Sequence, residues 1–150
     1  MRLVPGLLLI GASLFLCPSA SADCDRPPSA ATALTRATVV FRGVTREVKV
    51  VGSPGSWRGW IVTFTVFESW KGAPRRDFTL HVTALSEDDA YEDFRPGEQY
   101  VVFADVNVGR KAERFGLRGT TYGAHGCGGT GALSHADSYL KELGPGQPVP

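Results

Sequence analysis

Residues 59–70 read GWIVTFTVFESW, and this stretch decides the fold class. Within it Val62, Phe64 and Val66 alternate with two threonines and a phenylalanine. Because alternate side chains of a strand point to opposite faces of a sheet, this pattern predicts a strand with one face in a core. The stretch 38–51, TVVFRGVTREVKVV, is also rich in β-branched and aromatic residues, and the turn-forming sequence GSPGS lies between the two stretches. Together they predict a long β-hairpin.

Three more strands are predicted downstream of the hairpin, over 77–83 (DFTLHVT), 99–105 (QYVVFAD) and 113–121 (ERFGLRGTT). A β-sandwich would need about seven strands, whereas a small curved barrel of the oligonucleotide/oligosaccharide-binding (OB) type needs about five. The sequence therefore predicts a mainly β fold, a small five-stranded OB-like barrel with a short N-terminal helix and a C-terminal helix.

The two helices are predicted from capping residues and apolar spacing. Over 27–37 (PPSAATALTRA), Ser29 is placed to cap a short helix. Near the C-terminus, Ser134 is placed as an N-cap with Asp137 three positions later, and Gly144 is placed to end the helix. Between these signals an apolar stripe has helical spacing and consists of Ala136, Tyr139, Leu140 and Leu143.

The first residues have the form of a secretory signal peptide. Arg2 is followed by an apolar run over 3–17 and then by the small residues Ala20, Ser21 and Ala22. The apolar run is shorter than the roughly 20 residues that a permanent membrane helix requires. The pattern therefore predicts export and cleavage between Ala22 and Asp23.

This cleavage sets the predicted domain organisation and location. The chain divides into a signal peptide over 1–22, a single domain over 23–144 and a flexible tail over 145–150, and the mature chain has no predicted membrane span. Lipidation of Cys17 is disfavoured because the bulky Leu16 precedes it, where lipoprotein processing requires a small side chain. The mature protein is expected to be secreted or periplasmic.

Charge and cysteine content narrow the classes of partner and the source of stability. The full chain has 16 Lys and Arg against 15 Asp and Glu, and removal of Arg2 with the signal leaves these charges balanced. Nucleic-acid binders depend on clustered positive charge, so nucleic acid is not an expected partner. Of the three cysteines, Cys17 leaves with the signal, and an even pair in an exported chain is most simply one disulfide, here Cys24 with Cys127.

Four segments, taken in order, carry a resemblance to a known family. They are 30–44 (AATALTRATVVFRGV), 64–72 (FTVFESWKG), 94–104 (FRPGEQYVVFA) and 127–144 (CGGTGALSHADSYLKELG). Together they resemble the bacterial branch of the netrin-like domain superfamily, whose animal members include the tissue inhibitors of metalloproteinases. The resemblance spans nearly all of the mature chain and implies an OB-like barrel with a C-terminal helix.

The resemblance also bears on the cysteines and on inhibition. Family members usually have a Cys-x-Cys at the mature N-terminus, and this chain keeps the second of that pair as Cys24 and its partner in the CxxT motif as Cys127. The resemblance thus implies the same Cys24–Cys127 pairing, while Ala22 stands where the first cysteine would be. In the animal inhibitors the N-terminal cysteine chelates the zinc of the protease. Since Asp23 is the expected first residue here, zinc-chelating inhibition is not carried over.

No catalytic, metal or cofactor site is predicted, and the chain is not expected to be an enzyme. A metal held by His125, Cys127 and His135 would need a thiolate, which the disulfide removes. With Cys127 oxidised there is no free nucleophilic thiol, and the sequence contains no G-x-S-x-G motif and no P-loop. The acidic stretch 87–93 lacks the order of a calcium-binding loop and is interpreted as a solvated connection.

The leading hypothesis is a non-enzymatic exported module that binds another exported protein, a protease being one candidate. The expected contact residues lie in the N-terminal segment and in the acidic connection, namely Asp23, Cys24, Asp25, Glu87, Asp88 and Asp89. The alternative is a structural or glycan-binding envelope domain that uses an OB-type groove. For that alternative Trp57, in the turn between the first two strands, is the aromatic residue expected to be exposed.

Overall fold

The structure is a computed structural model that describes residues 28–53, 57–83, 94–124 and 128–150. The predicted signal peptide therefore lies outside the described residues. In chain order the elements are helix α1 (Ala30–Arg36), strands β1 (Val39–Ser53), β2 (Trp57–Lys71), β3 (Asp77–Thr83) and β4 (Gln99–Val106), helix α2 (Arg110–Arg114), strands β5 (Tyr122–Ala124) and β6 (Gly131–Ala132), helix α3 (Asp137–Leu143) and strand β7 (Gln147–Pro148).

Five strands close into a barrel in the order β1-β2-β3-β5-β4, and β4 pairs with β1 to complete the circle. The β3–β5 pair is parallel, and the other four pairs are antiparallel. The short strands β6 and β7 add to β4 and β2 respectively. This arrangement confirms the predicted five-stranded OB-like barrel with a helix near each end of the described chain.

The barrel interior is filled by the residues whose alternation predicted the hairpin. Val62, Phe64 and Val66 are buried, and the ring of Phe64 packs edge-on against Phe41 at 5.5 Å and Tyr100 at 6.2 Å between centroids. Aromatic side chains bury large apolar areas, so this cluster is a main source of the stability of the barrel.

Helices α1 and α3 pack against the outside of the barrel and against each other. The Tyr139 hydroxyl donates to the carbonyl of Pro28 at 2.6 Å, and a Glu142 carboxylate oxygen accepts from the Ala30 amide at 3.0 Å. Burial and the charge of Glu142 raise the pKa of Tyr139, which keeps the hydroxyl protonated as a donor. The chain before α1 is thereby fixed to α3.

The threonine of the CxxT motif holds the chain that follows it against β4. The Thr130 hydroxyl lies 2.9 Å from the amide of Phe103 and 3.1 Å from its carbonyl, so it can accept from the one and donate to the other. The Phe103 ring packs on Tyr139 at 5.6 Å between centroids. This explains the position of a threonine three residues after Cys127 without any catalytic role.

The residues predicted to begin and end the two helices are confirmed in part. Ser29 is the N-cap of α1, and its hydroxyl accepts from the Thr32 amide, as predicted. Gly144 ends α3 with a φ of 66°, also as predicted. The predicted N-cap at Ser134 is wrong, because Leu133–His135 forms a 3-10 turn and α3 begins at Asp137.

The predicted fifth strand over 113–121 is wrong. That stretch contains the end of α2 and a loop, and the strand that completes the barrel is β5. Gly116 and Gly119 adopt φ angles of 61° and 79°, which a regular strand does not allow. The alternation of Phe115 and Leu117 with polar residues imitates a strand pattern but belongs to a turn region.

The chain end over 145–150, predicted as a flexible tail, contacts β2 in the structure. Gln147 pairs with Ser69 in β2, and the Val149 amide donates to the Phe67 carbonyl at 3.1 Å. The Gly146 amide donates to a Glu68 carboxylate oxygen at 2.8 Å. β7 therefore covers the edge of β2 beyond the point where β3 begins.

Candidate binding groove

A groove with a cavity volume of about 420 Å³ lies between β3 and the chain that leads into β5. Its walls come from β3, from residues 120–122, from the turn over 72–75 and from the first residues of β1. Ligand sites in proteins are commonly concave and of about 300–1,000 Å³. We refer to this cavity as the β3 groove.

The β3 groove exists because β3 is paired unequally on its two sides. With β2 it pairs along its whole length, from Thr83–Gly59 to Asp77–Thr65. With β5, within the described chain, it shares one bridge at Leu80–Tyr122. Before that bridge the chain turns away from β3, because the Thr121 carbonyl accepts from the Asn107 amide at 2.8 Å. The first residues of β3 therefore face the groove instead of a neighbouring strand.

The direction of the β3 backbone groups follows from the hydrogen bonds around them. The Val66 amide of β2 donates to the Arg76 carbonyl at 2.7 Å, so Arg76 bonds towards β2. In an antiparallel ladder successive residues alternate between bonding to the partner and facing away from it. The His81 carbonyl agrees, because it faces the other way and accepts from the Asn107 side-chain amide at 3.5 Å. Asp77 and Thr79 therefore direct their backbone groups away from β2. Because Leu80 bonds to β2, the parallel bridge at Leu80–Tyr122 uses the residues on either side of Leu80, so the Thr79 carbonyl bonds to β5. The Thr79 N–H and the backbone N–H and C=O of Asp77 are left on the side of the β3 groove.

Two residues that line the groove carry buried polar atoms without a hydrogen-bond partner among the described residues. They are Nδ1 of His81 and the hydroxyl oxygen of Thr121. A buried polar atom without a partner costs about 1–3 kcal/mol, so such atoms favour a hydrogen-bonding occupant nearby. Burial lowers the pKa of His81 from its ordinary value of 6.5, which makes the imidazole neutral near pH 7.

The charge near the groove is mainly positive. The Arg46 guanidinium lies 2.9 Å from a carboxylate oxygen of Asp77, so the charge of Asp77 is already balanced. Arg75 and Arg76 are exposed on the turn before β3, with no acidic group within salt-bridge distance among the described residues. The start of β3 thus presents cationic side chains beside its unpaired backbone.

Trp57 is half-buried, not exposed as the sequence suggested. Its ring packs edge-on against Phe115 at 5.3 Å between centroids, and Phe115 packs against His81 at 5.2 Å. A Cβ at Gly59 would lie 2.8 Å from the Trp57 ring and 2.9 Å from Phe115, so glycine permits this contact. Trp57, Phe115 and His81, hereafter the aromatic cluster, connect the β1–β2 side of the barrel to the β4–β5 connection.

Most of the predicted contact and disulfide residues lie outside the described residues. These are Asp23, Cys24, Asp25, Glu87, Asp88, Asp89 and Cys127, and of the predicted set only Trp57 is described. The described neighbours do show where two of these segments join the domain. Pro28 is bonded to Tyr139, and Gly129 lies against the Tyr139 ring. The chain that follows Cys24 and the chain that follows Cys127 therefore reach the same side chain.

Two features of the described residues bear on other functions. No group of three His, Cys, Asp or Glu residues there has the geometry to hold a metal ion. Of the three residues considered for a metal, His135 alone is described, and it lies exposed in the 3-10 turn before α3. In the part of the chain that the structure describes, no helix is both long and apolar enough to cross a bilayer.

Sequence reasoning missed the β3 groove. Its walls come from four separate parts of the chain, and its shape depends on where β5 begins, which the sequence pattern placed too early. The hydroxyl-bearing pair Thr120–Thr121 was the one local signal, and it was assigned to a strand. The chain matches no protein-family model, no curated protein and no solved structure.

Proposed function

We propose that this chain is an exported, non-enzymatic binding module of the netrin-like type, and that its partner is another exported protein. The observation that supports the proposal is the β3 groove, towards which Asp77 directs its backbone N–H and C=O and Thr79 its N–H. Backbone groups of this kind are the donors and acceptors that an extended polypeptide recognises. The groove is also lined by uncharged polar side chains, which can form hydrogen bonds to a bound polypeptide.

A glycan is the second candidate, favoured by a different observation. OB folds bind oligosaccharides on the β2–β3 face, between the β1–β2 and β4–β5 connections. Here the aromatic cluster lies where these elements meet, and threonines occupy the neighbouring positions Thr63 and Thr79. The rings pack edge-on against one another, however, which leaves less ring face for a sugar to stack on than an isolated exposed ring would. The described contacts therefore favour protein binding over glycan binding.

The test uses the mature, oxidised protein, residues 23–150, biotinylated beyond Pro150 and immobilised. Soluble envelope and culture-medium fractions are passed over it, and a retained protein is purified and titrated against the module by calorimetry. We expect saturable binding to a protein and no binding on a glycan array. Binding on the array with no protein ligand would overturn the proposal in favour of the glycan alternative.

One variant separates the contact region that the sequence predicted from the β3 groove. Simultaneous replacement of Glu87, Asp88 and Asp89 with serine removes three carboxylates without a designed change to the barrel. If the acidic connection contacts a basic partner surface, association slows and loses part of its salt dependence, while thermal stability is unchanged. If the groove alone carries binding, the association rate stays within the error of wild type.

A further inference from the structure

We infer that an extended segment of the partner protein adds as a strand to β3 at Asp77–Thr79, with an acidic residue of that segment beside Arg75. This inference rests on the proposed function and names the binding mode. The backbone of β3 offers hydrogen-bonding groups to such a segment. The Thr79 N–H and both backbone groups of Asp77 point away from β2, and no described strand runs beside them before the bridge at Leu80, where the Thr79 carbonyl bonds to β5.

The dimensions of the groove favour an extended segment over a folded surface. A volume of about 420 Å³ accommodates a few residues. Its lining combines the apolar rings of Phe78 and Tyr122, whose centroids are 5.1 Å apart, with the hydroxyls of Thr120 and Thr121. A strand presents alternate side chains to opposite faces, so one apolar side chain can contact the rings while its neighbours stay in solvent.

The charges select the composition of that segment. Arg46 is paired with Asp77, and their side chains are 58% and 71% exposed, so this pair stays at the surface. Arg75 and Arg76 are left as the unbalanced charges at the start of β3. An acidic residue is attracted to this position and a basic one is repelled, which sets both specificity and association rate.

Another edge of the same sheet, on β2, is covered by a short strand of the chain itself. Beyond Thr65, β2 is covered by β7, a two-residue strand that pairs with Glu68 and Ser69. A short segment is therefore enough to occupy an edge of this barrel. The β3 edge differs in that the described chain supplies no such segment.

The test uses blocked pentapeptides of alternating valine and threonine as probes. The first ends in glutamate, the second replaces that glutamate with lysine, and the third keeps the glutamate but carries N-methyl groups on alternate amides. Amide shifts of the wild-type module are followed by NMR during titration. We expect the first peptide to shift Asp77, Thr79 and Thr121. The N-methylated peptide should bind about fivefold to tenfold more weakly or worse, because it cannot form the ladder.

Variants of the module test the same contacts as the peptides. Thr79→Pro removes the N–H that faces the groove but leaves the bonds of Phe78 and Leu80 to β2 in place, since proline is tolerated where the N–H points away from the neighbouring strand. It should weaken the glutamate peptide about fivefold to tenfold. Thr79→Val keeps the N–H and serves as the matched control, with affinity near wild type. Should Thr79→Pro fail to fold, Arg75→Glu tests the same site, because it should reverse the preference between the glutamate and lysine peptides.

Three results would overturn strand addition: equal binding of the methylated and parent peptides, no binding of any peptide, or shifts confined to residues away from β3. The captured partner distinguishes this failure from failure of the proposed function. A partner retained equally by wild type and Thr79→Pro leaves protein binding intact and moves the interface away from β3. A wild-type module that retains no protein overturns the proposed function itself.

Discussion

Two edges of the barrel are treated differently by the chain. The edge of β2 beyond Thr65 is covered by β7, and the Gly146 amide bonds to Glu68, which also pairs with Arg42 at 3.0 Å. The edge of β3 before Leu80 faces a groove. Uncovered edges are templates for pairing with other chains, so proteins usually cover them. The contrast indicates that the β3 edge, and not the β2 edge, is available to a partner.

The predicted disulfide is expected to have the largest effect on stability. Cys24 and Cys127 should be oxidised in the exported protein, and Cys127→Ser should lower the free energy of unfolding by about 2–5 kcal/mol, the range for native bridges in small secreted domains. Denaturant unfolding measures the loss, and non-reducing peptide mapping with intact mass checks the bond and the cleavage after Ala22. The control is a double-mutant cycle. Cys24→Ser should lower the unfolding free energy by the same amount, and the double variant should lose no more than either single variant, because both changes remove the same bond. Two free thiols in the wild type would contradict the pairing.

Removal of the covering strand tests the β2 edge. Deletion of 145–150 removes the bond from Gly146 to Glu68 and the bond from Val149 to Phe67, and also the packing of Val149 on the core. We expect a loss of about 2–4 kcal/mol in unfolding free energy and a greater tendency to self-associate, since a hydrogen bond contributes about 1 kcal/mol and an open edge pairs with others. Deletion of Pro150 alone is the control and should be neutral. A full deletion that leaves stability unchanged would show that β7 contributes nothing to covering the edge.

A substitution at Gly123 should separate β5 from β3, with a smaller expected loss of stability. A Cβ at Gly123 would lie 2.8 Å from the His81 carbonyl and would also collide with the Asn107 side chain. Gly123→Ala should therefore push β5 away from β3 and cost about 1–3 kcal/mol, as overpacking of a filled site does. Thr120→Ala, an exposed change in the same wall of the groove, should stay within about 0.5 kcal/mol. Thermal unfolding of both variants compares them, and equal stability would mean that β5 is not packed against β3 as described.

The smallest predicted effect is a pH dependence of the unfolding free energy that comes from His81, which lines the groove. Burial lowers the pKa of His81 in the folded protein below its unfolded value of 6.5. The unfolded chain then binds the proton more readily, so the contribution of His81 to stability is complete above pH 6.5 and is lost progressively as the pH falls below it. His81→Gln should flatten this part of the stability profile, measured by urea unfolding between pH 5 and 8. Identical profiles for both proteins would contradict the burial of the imidazole.

The sequence predicted the parts of the fold that depend on local pattern. The alternation around Phe64 gave the hairpin, and the hydroxyl of Ser29 gave the start of α1, because both signals act within a few residues. The position of β5 could not be predicted in this way. Phe115 and Leu117 alternate like strand residues, and the positive φ angles of Gly116 and Gly119 become visible only in three dimensions.

The candidate site was less predictable than the fold. The β3 groove depends on pairing between residues far apart in sequence, such as Leu80 with Tyr122, and no local pattern encodes the absence of pairing further along β3. Trp57 was predicted to be exposed, but its contact with Phe115 places it in a packed cluster. The acidic connection and the N-terminal segment stay predictions, because both lie outside the described residues.

Amide hydrogen exchange at Thr79 tests the central claim most directly. In the free protein the Thr79 amide should exchange much faster than the amides of Phe78 and Leu80. The amides of Phe78 and Leu80 bond to β2, whereas the Thr79 amide faces the groove. Addition of the captured partner should slow exchange at Thr79 at least about tenfold, while Ser69 beside β7 stays as protected as before. A Thr79 amide that is already as protected as Phe78 in the free protein, or that the partner leaves unchanged, would contradict the account.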